Sequence, residues 1–123
     1  MKKTGLLNPE LNYSVARLGH TDTWAVADCG LPVPQRVRII DLSLVFGVPT
    51  FAQVVRALLA EVVVEGAYIA REAPPQVRRA LECPVTEVDH GELKALIGDC
   101  AFVVRTGETT AFANAVFRSG VAF

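Results

Sequence analysis

Thr50-Phe51-Ala52-Gln53-Val54-Val55-Arg56-Ala57-Leu58-Leu59-Ala60-Glu61-Val62 is followed directly by Val63-Val64-Glu65-Gly66-Ala67-Tyr68-Ile69-Ala70. Thr50 and Gln53 have the spacing of a capping box, and Phe51, Val54, Leu58 and Val62 repeat at helical intervals. From Val62 the residues turn β-branched, so a strand is expected over about 64–70. A helix leading into a short apolar strand is one unit of an α/β fold, and the rest of the chain repeats the alternation.

Upstream, Asn8 is a good N-cap, Pro9 fits the first helical position and Glu10 suits the positive helix end. Leu11, Val15 and Leu18 then fall on one helical face, and Gly19 is expected to stop the helix. After the polar loop His20-Thr21-Asp22-Thr23, Trp24 to Asp28 reads as a buried strand, and Cys29 to Pro34 as a turn or loop. Arg38 to Leu44 is a further strand or extended segment, ended by Gly47-Val48-Pro49. Downstream, Pro75 to Glu82 reads as a short helix or turn, and Pro84 to Val88 as a strand. Asp89 then caps a helix over His90 to Ile97. Ala101 to Val104 is another strand, with Ala115 to Phe117 and Val121 to Phe123 as further short β segments. The expectation is a single layered α/β domain over residues 1–123, a mainly parallel sheet flanked by helices.

Hydrophobic residues make up 51% of the 123 and charged ones 20%, which excludes disorder. The mean hydropathy of +0.35 is high for a small soluble monomer. A membrane span does not explain it, because Arg56, Glu61 and Glu65 interrupt the most apolar run. Lys2 and Lys3 are followed at once by polar residues, so no signal peptide is readable. A broad apolar interface between copies of the chain is the better account. Twelve basic against 13 acidic residues leave no basic stripe for nucleic acid. Cys29, Cys83 and Cys100 form no CxxC pair and no zinc-type spacing with histidine, and read as small residues of a reduced, cytoplasmic protein.

No dinucleotide fingerprint, P-loop or GxSxG elbow is present. With only His20 and His90, a multi-histidine metal site within one subunit is impossible, and two histidines with one carboxylate remain as arithmetic. Acidic neighbours would raise the pKa of Cys29, against covalent catalysis. What is left is a polar set in an apolar chain: His20, Asp22, Asp28, His90, Arg105, Glu108 and Asn114. These residue types transfer protons and bind hydroxyls, which leaves an acid–base site and a polyol-binding site both open. In parallel sheets ligands gather beyond the carboxyl ends of strands, where Asp28 and Arg105-Thr106 are expected.

Arg17-Leu18-Gly19-His20-Thr21-Asp22-Thr23 with Ala27-Asp28-Cys29-Gly30-Leu31-Pro32-Val33-Pro34 resembles the D-ribose pyranase family. So do Asp41-Leu42-Ser43-Leu44 with Gly47-Val48-Pro49-Thr50-Phe51, and Arg105-Thr106-Gly107-Glu108 with Phe112-Ala113-Asn114. The opening Met1-Lys2-Lys3 and the closing Gly120-Val121-Ala122-Phe123 fit as well, so the likeness covers nearly the whole chain in order. The resemblance implies an isomerase of ribose catabolism that interconverts pyranose and furanose forms of D-ribose, without cofactor or metal. It implies His20 as general acid, and Asp28, His90, Phe112, Ala113 and Asn114 as sugar-binding residues. It also implies a ring-shaped homo-oligomer, a decamer, with sites between adjacent subunits. Asp28 could orient His20 or hold a sugar hydroxyl. Two departures stand out: Phe112 replaces the family's usual Tyr, removing one hydroxyl, and the segment around Ala73 to Cys83 is short, a trimmed surface excursion. The related fucose mutarotases and a non-catalytic, transport-associated sugar binder are the alternatives.

Overall fold

Asn8 opens the first helix, its Oδ1 accepting the Leu11 N–H at 3.0 Å while Pro9 takes the first helical position. In the computed structural model, which describes residues 1–123, this helix, α1, covers Pro9–Ala16. It ends sooner than the glycine suggests. Arg17 and Leu18 donate to the carbonyls of Ser14 and Val15, a three-residue spacing that tightens the last turn. Gly19 instead gives its N–H to Asp22 Oδ2 at 2.8 Å.

Strand β1 (Thr23–Ala27) and strand β2 (Ile39–Asp41) follow. Helix α2 (Phe51–Leu59) starts at the expected box: Thr50 Oγ1 accepts the Gln53 N–H, and Gln53 Oε1 accepts the Thr50 N–H. Strand β3 (Val64–Ala70) has the expected limits. The short segment after it carries helix α3 (Pro75–Arg79). Strand β4 (Val85–Val88), helix α4 (His90–Ile97), strand β5 (Val103–Arg105) and strand β6 (Ala115–Ser119) complete the chain.

The strands form one six-stranded sheet in the order β2-β5-β1-β6-β3-β4. The pairs β2–β5, β5–β1 and β3–β4 are parallel, whereas β6 runs antiparallel to both β1 and β3. The sheet is therefore mixed: five strands share a direction, as expected, and one in the middle opposes them. The physical reason is the link from β5 to β6, which contains no crossover helix, so the chain turns back. The strand expected over Val121 to Phe123 does not form. Register pairs Arg118 with Thr23 and Ser119 with Val64, the first residues of the two neighbours, and the ladder runs out at Gly120, whose N–H donates to Val63 O.

Alternation along the strands builds two cores. One face carries Trp24, Val26, Ile69, Val104 and Phe117 against Leu11 of α1, Val54, Val55 and Leu58 of α2, and Val77 of α3. Trp24 lies in its centre, stacked on Phe117 at 4.4 Å and on Phe102 at 6.0 Å between ring centroids. The other face carries Ala25, Ala27, Ala70, Val103 and Val116 against Leu93 and Ile97 of α4 and the loop residues Leu31 and Val37. No helix is long and apolar enough to cross a membrane.

Candidate active site

Asp28 follows the last residue of β1, and Asn114 precedes the first residue of β6, so antiparallel pairing sets them side by side. The Asp28 N–H donates to Asn114 Oδ1 at 2.8 Å, and Asn114 Nδ2 donates to Asp28 Oδ2 at 2.9 Å. Asp28 Oδ1 accepts the Gly30 N–H at 2.9 Å, so the carboxylate is fixed on both sides. Asn114 is 1% exposed, and both of its polar side-chain atoms engage Asp28.

Phe112 and Ala113 lead into the same corner. Ala113 is buried, and Phe112 adopts φ +63°, a left-handed conformation rarely taken by a bulky residue. That conformation turns the Phe112 ring toward the start of α4, where it meets the His90 ring edge-on at 5.1 Å. Asp89 caps that helix through Oδ1, which accepts the Glu92 N–H at 2.8 Å. His90 Nδ1 is buried without a hydrogen-bond partner in its own protomer. Asp28, His90, Phe112, Ala113 and Asn114 are thus gathered at one end of the sheet, beyond the carboxyl ends of the parallel strands. Carboxylate, imidazole and aromatic surface suit the hydroxyls and C–H faces of a sugar.

His20 is elsewhere. It precedes β1, and five residues of extended strand, roughly 17 Å, separate its loop from Asp28. Asp28 therefore cannot orient His20 of its own chain. The group that reaches His20 is Glu65 of β3, whose Oε1 lies 2.6 Å from Nε2. An ionised carboxylate only accepts, so Nε2 carries the hydrogen of this bond. Arg118 of β6 holds the other Glu65 oxygen through Nε at 3.3 Å. The loop is tied down by Thr21, at φ +72°, whose N–H donates to Ser119 O, and by Asp22 O, which accepts the Ser119 N–H.

The remaining polar residues of the sequence reading hold structure. Asp22 accepts from the Gly19 N–H, and Arg105 pairs with Asp41 at 3.4 Å. Burial raises the Asp41 carboxyl, but hydrogen bonds from Ser43 and the charge of Arg105 outweigh it and bring it below its usual value. Glu108 accepts the Phe51 N–H at the start of α2 and the N–H and hydroxyl of Thr110. The three cysteines are free thiols, and burial pushes Cys100 up to about 11, which keeps it protonated and inert. Glu65 and Arg118 were missed by sequence reasoning. Glu65 read only as a charge interrupting an apolar run, and its meeting with His20 depends on strand pairing.

Residues 1–122 match the model of the RbsD / FucU transport protein family. A Corynebacterium glutamicum (strain ATCC 13032) protein named D-ribose pyranase is 67% identical over 123 residues, covering all of both chains. A Cutibacterium acnes protein of the same name is 53% identical over 128 residues, again covering all of both. The structure of Bacillus subtilis RbsD complexed with D-ribose superposes with a TM-score of 0.94 at 40% identity over the full length of both chains. Bifidobacterium longum FucU, at 17% identity and a TM-score of 0.81 over 95% of this chain and 97% of its own, shares the fold. From its motifs, its sheet order and these full-length likenesses, the chain belongs to the RbsD / FucU transport protein family, in its D-ribose pyranase group.

Proposed function

We propose that this protein interconverts the pyranose and furanose forms of D-ribose, with His20 as the general acid. The observation that carries the reading is full-length identity of 67% to a chain named D-ribose pyranase. The pairing of an exposed imidazole at one sheet end with a polar corner at the other supports it. His20 protonates the ring oxygen O5 of the pyranose as the C1–O5 bond breaks, while another group or a water takes the proton of the anomeric hydroxyl. The open aldehyde turns, O4 attacks C1, and the reverse proton transfers close the furanose. Asp28 and His90 bind sugar hydroxyls, Phe112 and Ala113 line the pocket, and Asn114 keeps the Asp28 carboxylate in place. Phe112 offers a face without the hydroxyl of a tyrosine.

A complete site takes two copies, since no single chain brings His20 to Asp28. One subunit supplies the imidazole and its neighbour the sugar corner, in a closed ring of subunits, a decamer, in the cytoplasm. Support for such contacts comes from the loop after β2, where Leu44, Val45 and Phe46 are 77%, 61% and 86% exposed beside Cys29. Apolar side chains so presented are covered in the assembled state.

The test is NMR magnetisation exchange between pyranose and furanose signals of D-ribose with wild type and His20→Ala. Acceleration by wild type alone establishes the reaction and the acid. Equal acceleration by both removes His20 from the chemistry. If neither accelerates, the ribose assignment fails, and L-fucose and then simple sugar binding are tried next.

A further inference from the structure

Strand β3 is irregular at one position. Val64 pairs with Ser119 and Gly66 with Arg118, so Glu65 is an extra residue with no partner opposite, a β-bulge. Bulges cost ladder hydrogen bonds and re-aim a side chain, and they concentrate beside active sites. This one aims Glu65 at His20. The space the side chain crosses is kept by Gly120, where an added Cβ would lie 3.0 Å from Glu65 Cγ and 3.1 Å from Val63 Cγ1. Its far oxygen is held by the Arg118 guanidinium. A surface ion pair needs none of this apparatus, and would be worth little.

We infer that Glu65 is the positioning residue for His20: its carboxylate takes the Nε2–H of the imidazole, leaving Nδ1 as the nitrogen that delivers the proton to the sugar. The inference rests on the proposed role of His20 and adds to it the partner and the reacting atom. Imidazole has two nitrogens, and the bond made by one fixes the protonation of the other. With Nε2–H committed to an anion, the ring is held in one orientation and Nδ1 is the nitrogen left to face the sugar. The charged groups around the ring are Glu65 from β3, Arg118 from β6 and Asp22 from its own loop. Of these, Glu65 makes the hydrogen bond to the ring, while Asp22 Oδ2 accepts the Gly19 N–H and Arg118 pairs with Glu65.

Glu65→Gln tests this with little change of shape. Arg118 only donates, so it claims the amide oxygen and turns the amide NH2 toward Nε2. Nε2 must then accept, and the neutral ring carries its proton on Nδ1. In protein labelled with 15N-histidine, the two ring systems are assigned with His20→Ala, since His20 and His90 are the only histidines. Neutral His20 is expected to be protonated on Nε2 in wild type and on Nδ1 in Glu65→Gln. Pyranose–furanose exchange should fall in kcat by roughly tenfold or more, with KM near that of wild type. An unmoved ring proton, or a kcat equal to wild type, overturns the inference. A raised KM with kcat kept would make Glu65 a sugar ligand and overturns it too. Wild type that does not speed the exchange overturns the ribose reading together with the inference, whereas an active wild type with an unmoved variant overturns the inference alone. Gel filtration of the variant checks that folding and assembly are intact.

Discussion

Thr21 carries a β-branched side chain in the left-handed region, where glycine is at ease and threonine costs about 1–3 kcal/mol. It is the residue directly after His20, and its N–H bond to Ser119 O, at 3.0 Å, holds the loop in that shape. Phe112 has the same backbone conformation two residues before Asn114, so each end of the sheet carries a strained residue. Thr21→Gly relieves the strain but frees the loop in both folded and unfolded chains. Its unfolding free energy should stay within about 1 kcal/mol of wild type, while kcat for ribose exchange falls as His20 loses its orientation. A denaturant melt and the exchange assay on the same sample check both halves. A destabilisation well above that, with full activity, would contradict the strain account. None of this strain is legible in the sequence, since His20-Thr21-Asp22-Thr23 reads as an ordinary polar loop and tertiary bonds impose its backbone.

Helix α2 shows how far local rules reach. Its box at Thr50 and Gln53 was readable from four residues, because both partners lie within one turn. Glu108, which accepts the Phe51 N–H at 2.9 Å from 57 positions away, was not. Burial raises the Glu108 carboxyl, yet the bonds from Phe51 and Thr110 together outweigh burial and set it below its ordinary 4.5. A carboxyl lowered by folding stabilises the fold above its unfolded pKa, and that contribution is lost as pH falls through the lower folded value. Thermal stability should therefore drop on acidification below about pH 4.5, and Glu108→Gln should flatten that part of the curve, as melts from pH 6 to pH 3 would show. The same division between local and distant causes explains the sheet. The limits of β3 were legible from its β-branched run, but its bulge and the reversed direction of β6 are set by pairing across the chain.

At the scale of the molecule, the sequence singled out His20 and Asp28 as polar residues of interest, and the structure sets them apart. They lie at opposite ends of β1, because His20 enters that strand and Asp28 leaves it. High hydropathy already pointed to contacts between copies, and the proposed two-copy site would give such contacts a chemical purpose. Two variants, His20→Ala and Asp28→Ala, should each be inactive alone. Mixed after mild dissociation and reassembly, they should regain part of the activity, since some interfaces then join an intact imidazole to an intact sugar corner. Exchange measured before and after mixing decides it, and a mixture as inert as its parents would mean that each chain works by itself. The single tryptophan stands apart from all of this: Trp24 is fully enclosed between Phe102 and Phe117, on the strand that separates the two ends. Its fluorescence is therefore expected to follow the integrity of the core, giving the protein a built-in optical gauge of folding.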